Sequence, residues 1–231
     1  MNLLFIFLGF MILSWVVSSR LKSKFREYSK IPLNYGLTGR DVAEKMLRDN
    51  GIHDVQIISV PGKLTDHYNP SNRTVNLSPE VYAGHSVASA AVAAHESGHA
   101  VQHAMGYGPL EMRSAMVPIQ NVSARVLNFI FIALMFGGFM LPQFMPYDLA
   151  LQIIIVCYSI FTLFAFITLP VEIDATKRAL VWLNKSGVVT GAIHDKAKDA
   201  LKWAAYTYVV AALSALVTLL YYVMMFLGSR D

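Results

Sequence analysis

The sequence is poor in charged residues and has almost no cysteine. Only 15% of its 231 residues are charged, compared with about 25% in an ordinary soluble domain. The one cysteine, Cys157, excludes an intramolecular disulfide and a zinc site built from several cysteines. Internal repeats and low-complexity tracts are also absent from the sequence. Because 55% of the residues are hydrophobic instead, the composition predicts a membrane protein.

Long apolar runs predict about four transmembrane helices. They cover residues 3–17, residues 126–141 with an extension back to about 117, residues 149–170 and residues 204–228. A helix needs about 20 mostly apolar residues to cross the hydrocarbon core of a bilayer. The first run has no preceding basic residue and no clear small-residue cleavage site, so we interpret it as an uncleaved anchor rather than a signal peptide.

The basic residues are unevenly distributed. Eight of the 19 lysines and arginines lie in residues 20–48, six lie in residues 177–202, and the loop at residues 142–148 has none. The positive-inside rule then places residues 20–116 and 171–203 in the cytoplasm, and the N-terminus, the 142–148 loop and a short C-terminal tail outside. The net charge of +4 is explained by this topology, with the lipid bilayer as the partner and without nucleic acid.

The region between the first two spans has mixed periodicity. A helix is predicted over residues 38–49, with Thr38 as its cap. Three β-like stretches, "VQIISV", "KLTDHY" and "RTVNLS", are separated by turn residues and predict a three-stranded antiparallel sheet. From about Ser86, an alanine-rich run without proline predicts a second helix. Its histidines and glutamate would be costly against lipid, so we expect it to be buried in the cytoplasmic domain.

This second helix contains "HESGH", in which His95 and His99 are four residues apart. Residues at this spacing lie on one helix face, so both imidazoles can bind one tetrahedral Zn²⁺. Glu96 can then act as the general base on a water molecule whose acidity the zinc has raised, and can later protonate the leaving amine. The competing interpretation is a polar pocket without metal, but unpartnered polar groups between small residues such as Ala94 and Ala100 would be costly.

A catalytic zinc usually has three protein ligands, and the third has three candidates. His103 lies about 12 Å along a straight helix from His95, which is too far for the same metal. Glu111 follows the helix but lies close to Pro109 and matches no known pattern. Glu172 is favoured because it follows the third span, on the side of the membrane where the zinc helix is predicted.

Several sequence blocks resemble one family, the YugP-type membrane zinc metallopeptidases. "PGKLTDHYNP", "TVNLSPEVYAG", "SVASAAVAAHESGHAVQH" and "LPVEIDAT" occur in the family's order and spacing, and the likeness covers nearly the whole chain. The wider group, which includes the HtpX and CAAX prenyl proteases, adds a glutamate from an E-x-x-A-D segment. The resemblance therefore implies Glu172 as third ligand. Thr176 replaces the aspartate of that segment, and Asp174 is a candidate to take over its orienting role.

The resemblance also implies a place for substrate. Related metallopeptidases bind the substrate backbone along an edge strand before the zinc helix, and residues 73–77 are the candidate strand. An equal alternative is that these residues only pair within the sheet. His67 and the tyrosines 206 and 208 are candidates to stabilise the reacting carbonyl, although a local hydrogen bond for His67 and a membrane-interface position for the tyrosines are favoured.

These observations predict an α+β membrane protein with about four transmembrane helices and a small gluzincin-like cytoplasmic domain, made of a helix, a three-stranded antiparallel sheet and a zinc-binding helix. The predicted segments are an anchor (1–19), the metallopeptidase domain (20–116), two transmembrane helices (117–170), a cytoplasmic segment with the third ligand (171–203) and a last transmembrane helix (204–228). The predicted activity is a zinc endopeptidase with one Zn²⁺ per chain, acting on membrane-associated proteins or peptides. One alternative is a non-catalytic metal-binding scaffold. Another is a transporter, but the nearly charge-free spans argue against a transporter.

Overall fold

The structure is a computed structural model that describes residues 3–33, 36–137 and 146–228. Seven helices and three strands occur in these ranges. In chain order they are α1 (Leu3–Tyr28), α2 (Gly39–Asp49), β1 (Gln56–Ser59), β2 (His67–Asn69), β3 (Thr74–Leu77), α3 (Pro79–Tyr82), α4 (Val87–Ala104), α5 (Gly108–Gly137), α6 (Tyr147–Lys185) and α7 (Gly191–Gly228).

Four of the described helices, α1, α5, α6 and α7, are long and apolar enough to cross a membrane. The prediction of four segments that are long and apolar enough to cross a membrane is therefore confirmed. The helices are longer than the apolar runs, because α1 continues to Tyr28 and α6 does not stop at Pro170 but continues to Lys185. The predicted end of the second span at residue 141 and most of the loop at 142–148 lie outside the described residues.

The chain divides into two compact units. The first consists of Met1–Ser14, Met112–Leu169 and Tyr208–Asp231. Its described core is apolar: Leu127, Ile130, Leu151, Ile154, Cys157, Tyr222. The thiol of Cys157 is buried in this core, as a small apolar side chain would be.

The second unit, Trp15–Glu111 with Pro170–Thr207, contains the sheet and helices α2, α3 and α4. Helix α4 is buried on nearly every face, which explains why its sequence is almost as apolar as a membrane span. Its N-cap is Ser86, whose hydroxyl accepts the N–H of Ser89. Helix α2 has Thr38 as N-cap, as predicted, and Asp41 completes a capping box.

The sheet differs from the prediction. Its order is β1-β3-β2, with β2 antiparallel to β3 and β1 parallel to β3. The all-antiparallel prediction is therefore wrong for the β1–β3 pair. β3, rather than lying at the edge, is the central strand and is fully buried, so the prediction that residues 73–77 form a substrate-binding edge is also wrong. The free edges belong to β1 and β2.

Candidate metal centre

The three predicted metal-ligating side chains converge in the second unit. Helix α4 places His95 and His99 one turn apart, and the two rings meet edge to face with centroids 4.9 Å apart. Glu172 lies on α6, two residues after Pro170, and is 2% exposed. One side-chain donor atom from each of the three residues lies within 4.8 Å of the others. Among the described residues, this is the one group of three histidine, cysteine or acidic side chains that meets this distance.

The distances within this group fit a tetrahedral zinc ion. Oε2 of Glu172 lies 3.2 Å from Nε2 of His95 and 3.5 Å from Nε2 of His99. Ligands bound to zinc at 2.0–2.2 Å in a tetrahedron are separated by about 3.3–3.6 Å. Two histidine nitrogens and one carboxylate oxygen are also a typical donor set for a catalytic zinc. The residues present therefore fit the ion.

Hydrogen bonds on the far side of each imidazole fix the orientation of the rings. Nδ1 of His99 lies 2.9 Å from Oε1 of Gln102, while Nε2 of Gln102 donates to the carbonyl of Val171 and to Asp174. Because the amide nitrogen of Gln102 is already committed to two acceptors, its oxygen faces His99 and Nδ1 of His99 must carry the proton. The lone pair of His99 Nε2 then faces Glu172, as metal binding requires.

His95 is held in a comparable way by Thr176. Its Nδ1 lies 3.2 Å from the Thr176 hydroxyl, so Thr176 orients the His95 ring. Asp174 does not contact His95. It accepts from Gln102 at 2.8 Å and from Arg178 at 2.5 Å, and so acts on His99 through the amide. The orienting role predicted for Asp174 is therefore indirect.

A glycine allows α4 and α6 to come this close. A Cβ atom on Gly98 would lie 2.8 Å from the carbonyl oxygen of Ala175. Gly98 is on α4 between the two histidines, and Ala175 is one turn beyond Glu172 on α6. The absence of a side chain at Gly98 thus lets the carboxylate reach both imidazoles.

The charge environment favours a cation between these groups. Burial opposes protonation of His99, but hydrogen bonding to Glu172 and the nearby charge of Glu96 outweigh it and raise the pKa of His99 above its usual value. The same field that favours a proton on an imidazole also favours a metal ion bound to it.

Glu96 lies beside this group and is anchored to strand β2. Its Oε2 accepts the backbone N–H of Tyr68 at 3.1 Å. The Tyr68 hydroxyl lies 2.8 Å from Nδ1 of His103, and burial raises the pKa of this phenol, which keeps it a neutral hydrogen-bonding group. The outer edge of β2 therefore faces the carboxylate predicted to act as general base.

The remaining candidates lie away from the cluster. His103 bonds Tyr68, Glu111 is exposed, and neither belongs to the three-residue group. His67 is exposed and makes the favoured local contact, with Nδ1 2.7 Å from the carbonyl of Thr65. Tyr206 is 37% exposed and packs against Trp203.

Sequence reasoning missed Gln102 and the backbone N–H of Tyr68. Gln102 is fully buried and three residues after His99, so a polar residue on the inner face of an apolar helix was the available signal. The Tyr68 contact depends on how β2 docks on α4, for which the sequence carried no signal.

Comparisons with known proteins show the family to which the chain belongs. The family described as "Putative neutral zinc metallopeptidase" matches residues 3–227. The protein named "Putative membrane protease YugP" from Bacillus subtilis (strain 168) is 39% identical over 231 residues, covering 99% of each chain. No solved structure matches the chain. With a match over almost its entire length, this chain belongs to the putative neutral zinc metallopeptidase family.

Proposed function

We propose that this protein is a membrane-embedded, zinc-dependent endopeptidase. His95, His99 and Glu172 would hold one Zn²⁺ per chain, and Glu96 would be the general base. The observation that carries the proposal is the spacing of the three donors, 3.2 and 3.5 Å from the carboxylate to the two imidazoles. Directly beside them is a fourth side chain, the acidic Glu96, which is not part of the group. A structural zinc site would normally be closed by four protein ligands, whereas three leave one position for reaction.

Each protein group has a role in peptide hydrolysis. A bound Zn²⁺ would polarise the carbonyl of the scissile peptide bond and raise the acidity of the attacking water. Glu96 takes the proton from that water as it attacks the carbonyl carbon, then delivers it to the leaving amine. Thr176 and Gln102 keep the two imidazoles oriented throughout. No covalent acyl-enzyme forms, because the water itself is the nucleophile.

Strand β2 supplies the orientation of the base and a place for substrate. The N–H of Tyr68 holds one oxygen of Glu96, which leaves the other oxygen to accept the proton. Because this N–H points away from β3, the outer edge of β2 is the edge nearest the base. We expect an extended substrate segment to add to this edge by backbone hydrogen bonds.

The proposed substrates are proteins or peptides at the cytoplasmic face of the cell membrane. The orientation is supported by the lysines and arginines at residues 20–48 and 177–202. All of these residues belong to the unit that contains the candidate metal centre, so the site and the positive charge share one side of the bilayer in this proposal.

The test is the Glu96→Gln variant, reconstituted as full-length protein in liposomes. It should retain one zinc per chain, measured by elemental mass spectrometry, and lose cleavage of membrane proteins, measured by the appearance of new N-termini. Removing a general base lowers the rate by about 10²–10⁴-fold. The matched control is Glu111→Gln, an exposed glutamate outside the group, which should keep both zinc and activity.

Two results would contradict the proposal. Full activity in Glu96→Gln would remove the carboxylate from the mechanism. Zinc bound at one per chain without cleavage by the wild-type protein, over the same substrates, would favour the non-catalytic scaffold.

A further inference from the structure

A second candidate site lies in the same unit, apart from the metal centre. It is a cavity of about 370 Å³ between α1, the turn after β1 and the start of α3. Three cationic side chains line it: Lys22, Arg26, Lys63. Glu80 is the one acidic side chain among its described lining residues, so the charge of the cavity is about +2 at neutral pH.

The cations that face this cavity differ from their neighbour Lys24 in their ion pairing. Lys24 is paired inside the protein with Glu27 at 3.0 Å and Asp199 at 3.3 Å. Lys22 and Arg26 are four residues apart and share a helix face. In the described parts of the chain, neither of them nor Lys63 has a carboxylate within ion-pair distance. Their charge is therefore available to an external anion.

One apolar side chain that lines the cavity is exposed. The turn at Gly62, with φ +115°, leads into Leu64, which has φ +57° and is 45% exposed. A left-handed backbone is costly for leucine, and so is exposure of its side chain to water. A ligand with both an anionic and an apolar part would match Lys63 and Leu64 together.

The position of Lys22 and Arg26 along α1 matches the headgroup layer of a membrane. Trp15 is 69% exposed, and exposed tryptophans concentrate at the membrane interface. Lys22 lies seven residues later, or about 10 Å along the helix axis, and Arg26 one further turn away. Long cationic side chains at this distance from the hydrocarbon reach lipid phosphates.

We propose that Lys22, Arg26 and Lys63 form a binding site for a phosphate group, supplied by the headgroup of an anionic phospholipid. The guanidinium of Arg26 and the two ammonium groups bind the phosphate oxygens, and Leu64 contacts the apolar part of the lipid. This site is independent of peptidase activity and can be tested whatever the outcome for Glu96.

The experiment measures ligand binding to the full-length protein in detergent by native mass spectrometry. The probes are phosphatidylglycerol, phosphatidylcholine and inorganic phosphate. We expect phosphatidylglycerol to bind most tightly. Each cation near an anionic headgroup contributes about five-fold in affinity. The variant Lys22→Gln/Arg26→Gln/Lys63→Gln should therefore bind phosphatidylglycerol about 100-fold more weakly.

The matched control removes the same total charge elsewhere. Three exposed lysines outside the cavity are replaced by glutamine: Lys30, Lys185, Lys198. This variant should bind phosphatidylglycerol within two-fold of wild type. Glu80→Gln should bind about five-fold more tightly, because it removes the one carboxylate of the cavity lining, a gain that a damaged fold would not produce.

A further variant distinguishes the two possible sources of the phosphate. Leu64→Asn should weaken phosphatidylglycerol binding but leave inorganic phosphate unaffected, since asparagine accepts the left-handed backbone and only the apolar contact is lost. Binding of inorganic phosphate alone would assign the site to a free phosphate. Two results would overturn the proposal. The first is equal phosphatidylglycerol affinity in the cavity variant and the surface control. The second is that the wild-type protein binds neither inorganic phosphate nor phosphatidylglycerol.

Discussion

The close approach of α4 and α6 at Gly98 gives a quantitative test of the metal centre. In the Gly98→Ala variant, the new Cβ would lie 2.8 Å from the carbonyl oxygen of Ala175 and 3.4 Å from its carbonyl carbon and Cα. Carbon–oxygen contacts settle at about 3.3–3.6 Å, so the two backbones must separate by about half an ångström. Metal sites tolerate deviations of only about 0.2 Å in ligand distance.

The displacement should reach the ligands directly. His95 and His99 flank Gly98 on α4, and Glu172 lies one turn before Ala175 on α6, so moving the helices apart stretches the carboxylate–imidazole spacing. We expect zinc affinity to fall at least ten-fold. Overpacking a tight contact also costs about 1–3 kcal/mol, which lowers the melting temperature by about 2–4 °C per kcal/mol in a chain of this size.

The assay is zinc competition against a fluorescent chelator, with thermal unfolding measured on the same detergent-solubilised samples. The control is Gly108→Ala, since a Cβ there meets nothing within 4 Å. It should match wild type in both measurements. If Gly98→Ala binds zinc like wild type, the idea that this contact sets the ligand spacing is refuted, even if the protein melts earlier.

Two further predictions follow from the hydrogen bonds described above. Gln102→Leu should weaken zinc binding by about 10–100-fold in the chelator assay, because it removes the acceptor that orients His99. The control Ser97→Ala loses only a bond to its own helix and should leave zinc affinity unchanged. Equal zinc affinity in the two variants would contradict the orienting role of Gln102. Hydrogen bonds from Thr38 lower the pKa of Asp41 in the folded protein. The stabilisation of α2 by this carboxylate is therefore fully present above its unfolded pKa of about 3.9 and is lost as pH falls from there through the lower folded pKa. Asp41→Asn should therefore lower the melting temperature at pH 7, because the free energy of unfolding falls by about 1 kcal/mol. The difference in melting temperature from wild type should shrink below about pH 4. A difference that does not change with pH would show that the carboxylate is not involved.

Local features were the most predictable from sequence. The four apolar helices, the cap at Thr38 and the helix that carries His95 and His99 all depend on neighbours within a few residues. Helix ends were less predictable. The apolar run of the third span was predicted to end at residue 170, but the helix continues through Pro170 to Lys185. A helix can accommodate a proline when its surroundings stabilise the flanking turns.

The sheet shows where local patterns stop being informative. The turns after β1 and β2 suggested successive hairpins, and only the second connects neighbouring strands. The seven-residue link between Ser59 and His67 is long enough for β3 to insert beside β1. Side-chain alternation is the same for either neighbour, so the sequence could not tell which strand would be central.

The candidate site divides in the same way between sequence and tertiary structure. The sequence by itself determined the two histidines and Glu96, because their spacing on one helix face is a property of the helix. Only the tertiary structure decided the convergence of Glu172 with them, the orienting contacts of Gln102 and Thr176, and the hold of Tyr68 on Glu96. Except for the bond between Gln102 and His99 on the same helix, these contacts join residues 28 to 81 positions apart. Such distant contacts arise from the packing of whole elements, which a local sequence pattern does not encode.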